Sequence, residues 1–195
     1  IANISTLRTV FEMTPFLLLF FAPAMTMRLI SEEKKSGTLE LLFTKPIEEY
    51  EIVVGKFFAA WALYFFTLLP TLCYYITVTL IGTLDAGTVI GGYIGLMLVG
   101  AVFLAVSVFG SALTENQVVA FIVSLFIVFG LFMLDKVLFY LPISLANILE
   151  YISVDYHFSN IARGVIDTRD IIYYISAVGF ALFMATSVLQ RRRWA

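Results

Sequence analysis

Five apolar runs, each long enough to cross a bilayer, set the pattern of this chain. They extend from about Val10 to Ile30, Phe57 to Ile81, Gly92 to Leu113, Val118 to Leu134 and Ile171 to Leu189. A helical span takes about 20 residues, with a range of roughly 17–25. The fourth run sits at the short end of that range unless it continues toward Leu141. The runs lack the alternation of a half-buried strand, and lipid cannot satisfy exposed backbone groups, so each is predicted to be a helix. Pro15 lies near the start of the first run, Pro23 inside it, and Pro70 near the middle of the second. A proline removes a backbone hydrogen bond, so kinks are expected at Pro23 and Pro70, as plain bends or as hinges. In the third run Gly91 and Gly95 are four apart, as are Ala101 and Ala105. That spacing lets helices approach closely, within the subunit or against a partner.

Between the first two runs lies the long polar stretch Arg28 to Lys56, which holds five of the twelve Lys and Arg and six of the fourteen Asp and Glu. Its local signals divide it. Ser31 is placed to cap a short helix, with Glu32 and Glu33 in the positive first turn and Lys34 and Lys35 in the negative last turn. Gly37 suits the left-handed position that ends such a helix. Thr38 is placed to cap a second one, with Leu39, Leu42 and Phe43 on one face. Pro46 stops that helix and is expected at the first position of the next. Glu48, Glu49 and Glu51 favour a helix start there. Ile47, Tyr50 and Val54 share a side, so an amphipathic run at the interface is expected to lead into the second span.

A second informative stretch runs from Asp135 to Asp170. Leu145, Ile148, Leu149 and Ile152 follow a helical period after Pro142, and Phe158, Ile161, Ala162 and Val165 do so after Asp155. Two short amphipathic helices are implied, lying on or dipping into the outer leaflet. Asp170 opens the last span, where a carboxylate favours the helix N-terminus. The sole histidine, His157, sits between Tyr156 and Phe158 and reads as an interfacial aromatic rather than a ligand.

Composition fixes the class. Hydrophobic residues are 61% of 195 and charged residues 13%, against about half and a quarter in soluble domains. The chain is read as an all-α integral membrane protein, a single transmembrane domain over residues 1–195. Five spans put the Arg28–Lys56 loop, the Ser111–Gln117 turn and Arg191, Arg192 and Arg193 on one side. That side holds eight Lys and Arg, whereas Arg8, Lys136, Arg163 and Arg169 lie on the other. The richer side is expected to be cytoplasmic, with the C-terminus on it. The chain shows no cleavable signal and no initiator Met, and a start outside is explained if one span precedes Ile1, giving six in all.

The same composition excludes several functions. There is no basic stripe for nucleic acid, and the one cysteine, Cys73, rules out an intramolecular disulfide or a cysteine metal cluster. Gly55-Lys56 lacks the glycines of a phosphate-binding loop, and no zinc motif, nucleophile elbow or CxxC pair is present. The middles of the spans carry no Asp, Glu, Lys, Arg or His, the groups that ion-coupled carriers place there. A chain that moves something against a gradient without such groups must take energy from another chain. The Arg28–Lys56 loop, too long and too structured for a simple connector, is the place to receive it.

The stretch Arg28-Leu-Ile-Ser-Glu-Glu-Lys-Lys-Ser-Gly-Thr-Leu-Glu-Leu-Leu-Phe-Thr-Lys-Pro-Ile, with Gly55-Lys56 following, resembles the first cytoplasmic loop of ABC-2 type permeases. The turn Ser111-Ala-Leu-Thr-Glu-Asn-Gln-Val-Val-Ala-Phe and the segment Tyr156-His-Phe-Ser-Asn-Ile-Ala-Arg-Gly-Val-Ile-Asp-Thr-Arg-Asp resemble the gliding-motility-associated permease subunit of bacteria. The likeness covers essentially the whole chain. It implies a permease of an ATP-driven exporter in the bacterial inner membrane, with six spans of which the first is absent here. It also implies separate ABC ATPase subunits that carry the ATP and Mg, so this chain binds no cofactor and is not itself an enzyme. A second permease, identical or not, completes the membrane part, and lipid surrounds it. By position, coupling to the ATPase falls on Ser31, Glu32, Glu33, Lys34, Lys35, Ser36, Gly37, Thr38 and Glu40. The outer motif falls on Arg163, Gly164, Asp167, Arg169 and Asp170. Two alternatives stand beside this reading: a permease of another ABC-2 branch, such as one serving copper-enzyme maturation, and a non-transporting transducer of ATP-driven movement for gliding motility or secretion.

Overall fold

The computed structural model describes residues 8–81, 86–138, 149–165 and 167–193. Among them all regular structure is helical. In chain order the elements are α1 (Arg8–Thr26), α2 (Ser31–Ser36), α3 (Thr38–Phe43), α4 (Glu49–Leu68), a 3-10 turn (Leu69–Thr71), α5 (Leu72–Ile81), α6 (Ala86–Leu113), α7 (Gln117–Leu138), α8 (Val154–Ala162) and α9 (Thr168–Arg193). Among the described residues five stretches are long and apolar enough to span a membrane: Thr9–Ser36, Glu49–Leu80, Gly87–Leu113, Gln117–Val137 and Thr168–Arg191. They coincide with the five apolar runs and outgrow them at most ends. The fourth does continue past Leu134, to Leu138.

α6 is the centre. It packs against α1, α4, α7, α8 and α9. Ala101 to Val108 are buried without a break, which a helix tolerates only when it is apolar or small all round. Neighbours enter notches where α6 has no side chain. A Cβ on Gly95 would stand 2.9 Å from the Phe158 ring, and one on Gly100 would overlap the Tyr64 ring. The buried Tyr64 hydroxyl then donates to the Leu96 carbonyl at 3.0 Å, and Trp61 Nε1 donates to the Met97 carbonyl at 3.2 Å. The small-residue stripe is thus used within the chain: Gly91 and Gly95 receive α8, and Ala101 and Ala105 lie in the core.

The outer spans show the reverse pattern. Phe126, Phe180 and Phe183 are each about two-thirds exposed or more, as suits apolar side chains on helices that span a lipid bilayer. No described side chain of α5 is buried. α5 is set off from α4 by the 3-10 turn at Pro70, so the expected break is present. Tyr93 braces the turn, donating to the Thr71 carbonyl at 3.0 Å and accepting from the Thr71 hydroxyl at 3.2 Å. An apolar groove of about 300 Å³ lies between α5 and α6, lined by Leu72, Tyr75, Val89, Ile90, Tyr93 and Ile94. α1 runs through Pro15 and Pro23 without interruption and ends three residues beyond Pro23. There the Thr26 hydroxyl donates to the Ala22 carbonyl at 2.9 Å.

Several expectations about helix starts need correction. Pro46 is not the first residue of a helix; α4 starts three residues later at Glu49. Glu48 caps it, and the Glu51 carboxylate accepts from the Glu48 backbone N–H at 3.2 Å. The stretch from Glu49 is the first turns of one continuous helix, and its packed face is Glu49, Ile52, Val53 and Phe57 rather than Ile47, Tyr50 and Val54. The segment with Leu145 and Ile148 falls outside the described residues. The segment with Phe158 and Ile161 forms the expected short helix, α8, which packs onto α6; Val165 lies beyond its end, exposed.

Candidate functional site

The α2–α3 segment is folded back onto one end of the bundle. Gly37 joins the two short helices at φ 72°, a conformation that costs a residue with a side chain about 1 kcal/mol or more. Leu39 is buried, and Leu42 and Phe43 pack half-buried beside it, as the leucine-faced helix requires. Their seat is a second apolar cluster of Ile30, from the α1–α2 link, with Val53, Val108, Ala112, Ala185 and Leu189 from the ends of α4, α6 and α9.

Polar contacts fix the seat. Ser111, in the last turn of α6, is fully buried and meets three backbone groups of the α1–α2 link. Its Oγ accepts from the N–H of Ile30 and of Ser31, both at 3.2 Å, and donates to the Met27 carbonyl at 3.0 Å. The Lys34 ammonium donates to the Ala112 carbonyl. That carbonyl is among the last four of α6, which have no partner within the helix and form the negative end of its dipole. Lys56, on α4, donates to the Leu29 carbonyl at 2.5 Å and pairs with Glu33 at 2.6 Å. Ser124 of α7 donates to the Ser107 carbonyl of α6 at 3.2 Å.

The residues assigned to coupling therefore divide into two sets. Ser31, Glu33 and Lys34 face the bundle and hold α2 in place. Glu32, Lys35, Ser36, Thr38 and Glu40 are exposed. Neither Ser31 nor Thr38 caps a helix: each is its first helical residue, the cap positions being Ile30 and Gly37. The Ser31 hydroxyl donates to the Met27 carbonyl, and the Thr38 hydroxyl to the Glu33 carbonyl at 3.4 Å. Both reach back to a carbonyl that precedes the helix instead of forward to its N–H groups. Two further residues of this end lie outside those nine. Leu41 is two-thirds exposed on the outer side of α3, and Ser111 lies 80 residues away in sequence.

At the opposite end the Arg163–Asp170 motif also divides. Gly164 takes φ 84° and sits on the backbone of Gly87 and Thr88. Asp167 caps α9, its Oδ1 accepting from the Arg169 N–H at 2.9 Å. Arg163 and Arg169 are exposed. Asp170 is buried, and its Oδ1 lies 2.6 Å from Nδ1 of His157. His157 is not an interfacial aromatic. It is 5% exposed, its Nε2 lies 3.1 Å from the Tyr151 carbonyl oxygen, and its ring stacks on Tyr173 at 4.0 Å. Tyr173 and Tyr174 complete the join, donating to the carbonyls of Ile152 at 2.5 Å and Val154 at 2.9 Å. Lys136 of α7 reaches Asp155 of α8 at 2.9 Å.

A family model described as "ABC-2 family transporter protein" matches residues 3–189. No curated protein matches the chain.

Proposed function

Because the chain belongs to the ABC-2 transporter family and is thus a multi-pass permease subunit of an ABC transporter, we propose that α2 and α3 take up the movement of a partner ABC ATPase and pass it to the spans. The observation that carries this reading is the two-sidedness of the α2–α3 segment. One side is bonded to α4 and α6; the other presents Glu32, Lys35, Ser36, Glu40 and the apolar Leu41 to solvent. A lever needs both a fixed side and a free side. A mere connector has no use for a buried lysine holding it to a helix end.

In this reading the α2–α3 end and the C-terminus face the cytoplasm of a bacterial cell, as the Lys and Arg distribution favours. ATP and Mg stay on the ATPase, the chain pairs with a second permease, and the assembly exports its substrate across the inner membrane. The gliding-motility branch is supported by the likeness of the Ser111–Phe121 and Tyr156–Asp170 segments.

Glu32→Lys and Leu41→Asp test the free side without touching the fixed one. A central contact at an interface contributes about 2 kcal/mol or more, roughly a 30-fold change in affinity. The double variant is expected to lose most of the ATPase that co-purifies with the wild-type protein, while its own thermal unfolding is unchanged. An undiminished yield of ATPase, with normal ATP turnover in the complex, would sink the assignment. Glu33 is unsuitable for this purpose, because reversing it also breaks its pair with Lys56.

A further inference from the structure

We infer that α2 and the C-terminal end of α6 move as one body, joined by Ser111 and Lys34, so that work arriving at the α2–α3 segment is delivered first to the central helix. The inference rests on the coupling reading above and adds the route. Three independent features support it. Ser111 contributes both its donor and its acceptor capacity to the α1–α2 link, through Met27, Ile30 and Ser31. Lys34 is 7% exposed and holds the Ala112 carbonyl, one residue further along α6. The apolar seat beneath them includes Val108 and Ala112 of the same helix end. A hydrogen bond from a charged group is stronger than a neutral one, and a buried group left without its partner is costly in either case. Separating α2 from α6 would break four hydrogen bonds together, one of them from the Lys34 ammonium, and expose the cluster. Moving the two as a unit breaks none of them.

The rest of α6 makes this a useful destination. α6 touches α1, α4, α7, α8 and α9, so a shift at its end is felt by every span and by α8 at the opposite end. A close-packed centre passes such a shift on rather than absorbing it. Ser111 and Lys34 are positioning residues in this scheme; neither has to meet the ATPase.

Spin-label distances in the complex purified with its ATPase test the idea. Cys73 on α5 is exposed and serves as the reference label. Lys45→Cys reports the α2–α3 segment and Leu113→Cys reports the end of α6; both positions are exposed. On adding a non-hydrolysable ATP analogue with Mg²⁺, the Lys45–Cys73 and Leu113–Cys73 distances are expected to shift together. In a Cys73→Ser background the Lys45–Leu113 distance is expected to stay constant. In Ser111→Ala with Lys34→Met, the Lys45 shift should persist, the Leu113 shift should be largely lost, and Lys34→Arg alone should retain it. A wild-type complex in which Lys45 shifts and Leu113 does not overturns the route but leaves the coupling reading standing. So does a Leu113 shift that survives in the double variant. A complex in which neither label responds to nucleotide overturns the coupling reading itself, and the route with it. The wild-type comparison decides even where the double variant fails to assemble.

Discussion

Replacing Gly100 by alanine is expected to destabilise the protein, and by valine to prevent its stable assembly. An alanine in a helix interior ordinarily gains about 1 kcal/mol over glycine. Here the added Cβ would overlap the Tyr64 ring. Tyr64 is 3% exposed and tied through its hydroxyl to Leu96, so the ring has nowhere to go. Overpacking costs about 1–3 kcal/mol, and displacing the ring also breaks its hydrogen bond, about 1 kcal/mol more. The clash therefore wins. Gly130 and Gly179 are the controls: nothing stands within 4 Å of a Cβ at either, so alanine there should be neutral or mildly stabilising. Thermal unfolding of the purified protein in detergent reads the difference. The decisive comparison is Gly100→Ala in a Tyr64→Leu background, where the cost should fall sharply because the two sites share one volume. An equal cost in both backgrounds would show that Tyr64 is not what the new methyl meets.

Asp170→Leu is expected to detach α8 from the start of α9. The substitution leaves His157 Nδ1 without its partner in a site that excludes water, and a buried group left unsatisfied costs about 1–3 kcal/mol. Asp170→Asn keeps a polar neighbour for the ring and should cost less. Arg163 and Arg169 flank the join and are exposed, which makes limited trypsin digestion a direct readout. Cleavage at these two sites should quicken in the order wild type, Asp170→Asn, Asp170→Leu, and the unfolding temperature should fall in the same order. A leucine variant as resistant as wild type would remove the pair from any role in holding the segment. Changing Arg163 itself to Gln should slow the digestion without changing the unfolding temperature, because that side chain is exposed.

The spans were legible because lipid leaves so few options: an apolar run of sufficient length has only the helix available. Pro70 and Gly37 were legible for a similar local reason, each limiting its own backbone. What sequence alone left open was which polar side chains look inward. Glu32 and Glu33 are adjacent and identical in type, yet one is exposed and the other pairs with Lys56. Lys34 and Lys35 divide in the same way, because α2 turns by about 100° per residue and only its docked side is shielded. The caps at Ser31 and Thr38 failed for a related reason. Their hydroxyls had carbonyls of the preceding turn within reach, and serine and threonine in helices commonly bond backwards. His157 reads from sequence as an interfacial aromatic because its partner Asp170 is thirteen residues away on another helix. The small-residue stripe of α6 was visible, but only the packing tells that α8 fills it.

The central position of α6 also orders the birth of the protein. Ribosomes deliver α1 and α4 before α6 exists, so Phe11, Leu19, Phe57 and Tyr64 first meet lipid instead of the surfaces that later enclose them. Each early span can be helical alone, but neither has its notched counterpart until the third emerges. The α2–α3 segment must likewise wait, since Ser111 and Ala112 are made about 80 residues after the lysine and backbone groups they receive. Newly made chains halted before α6 should consequently be recognised by membrane proteases as unassembled, and release of α6 is the moment at which the half-finished subunit becomes resistant.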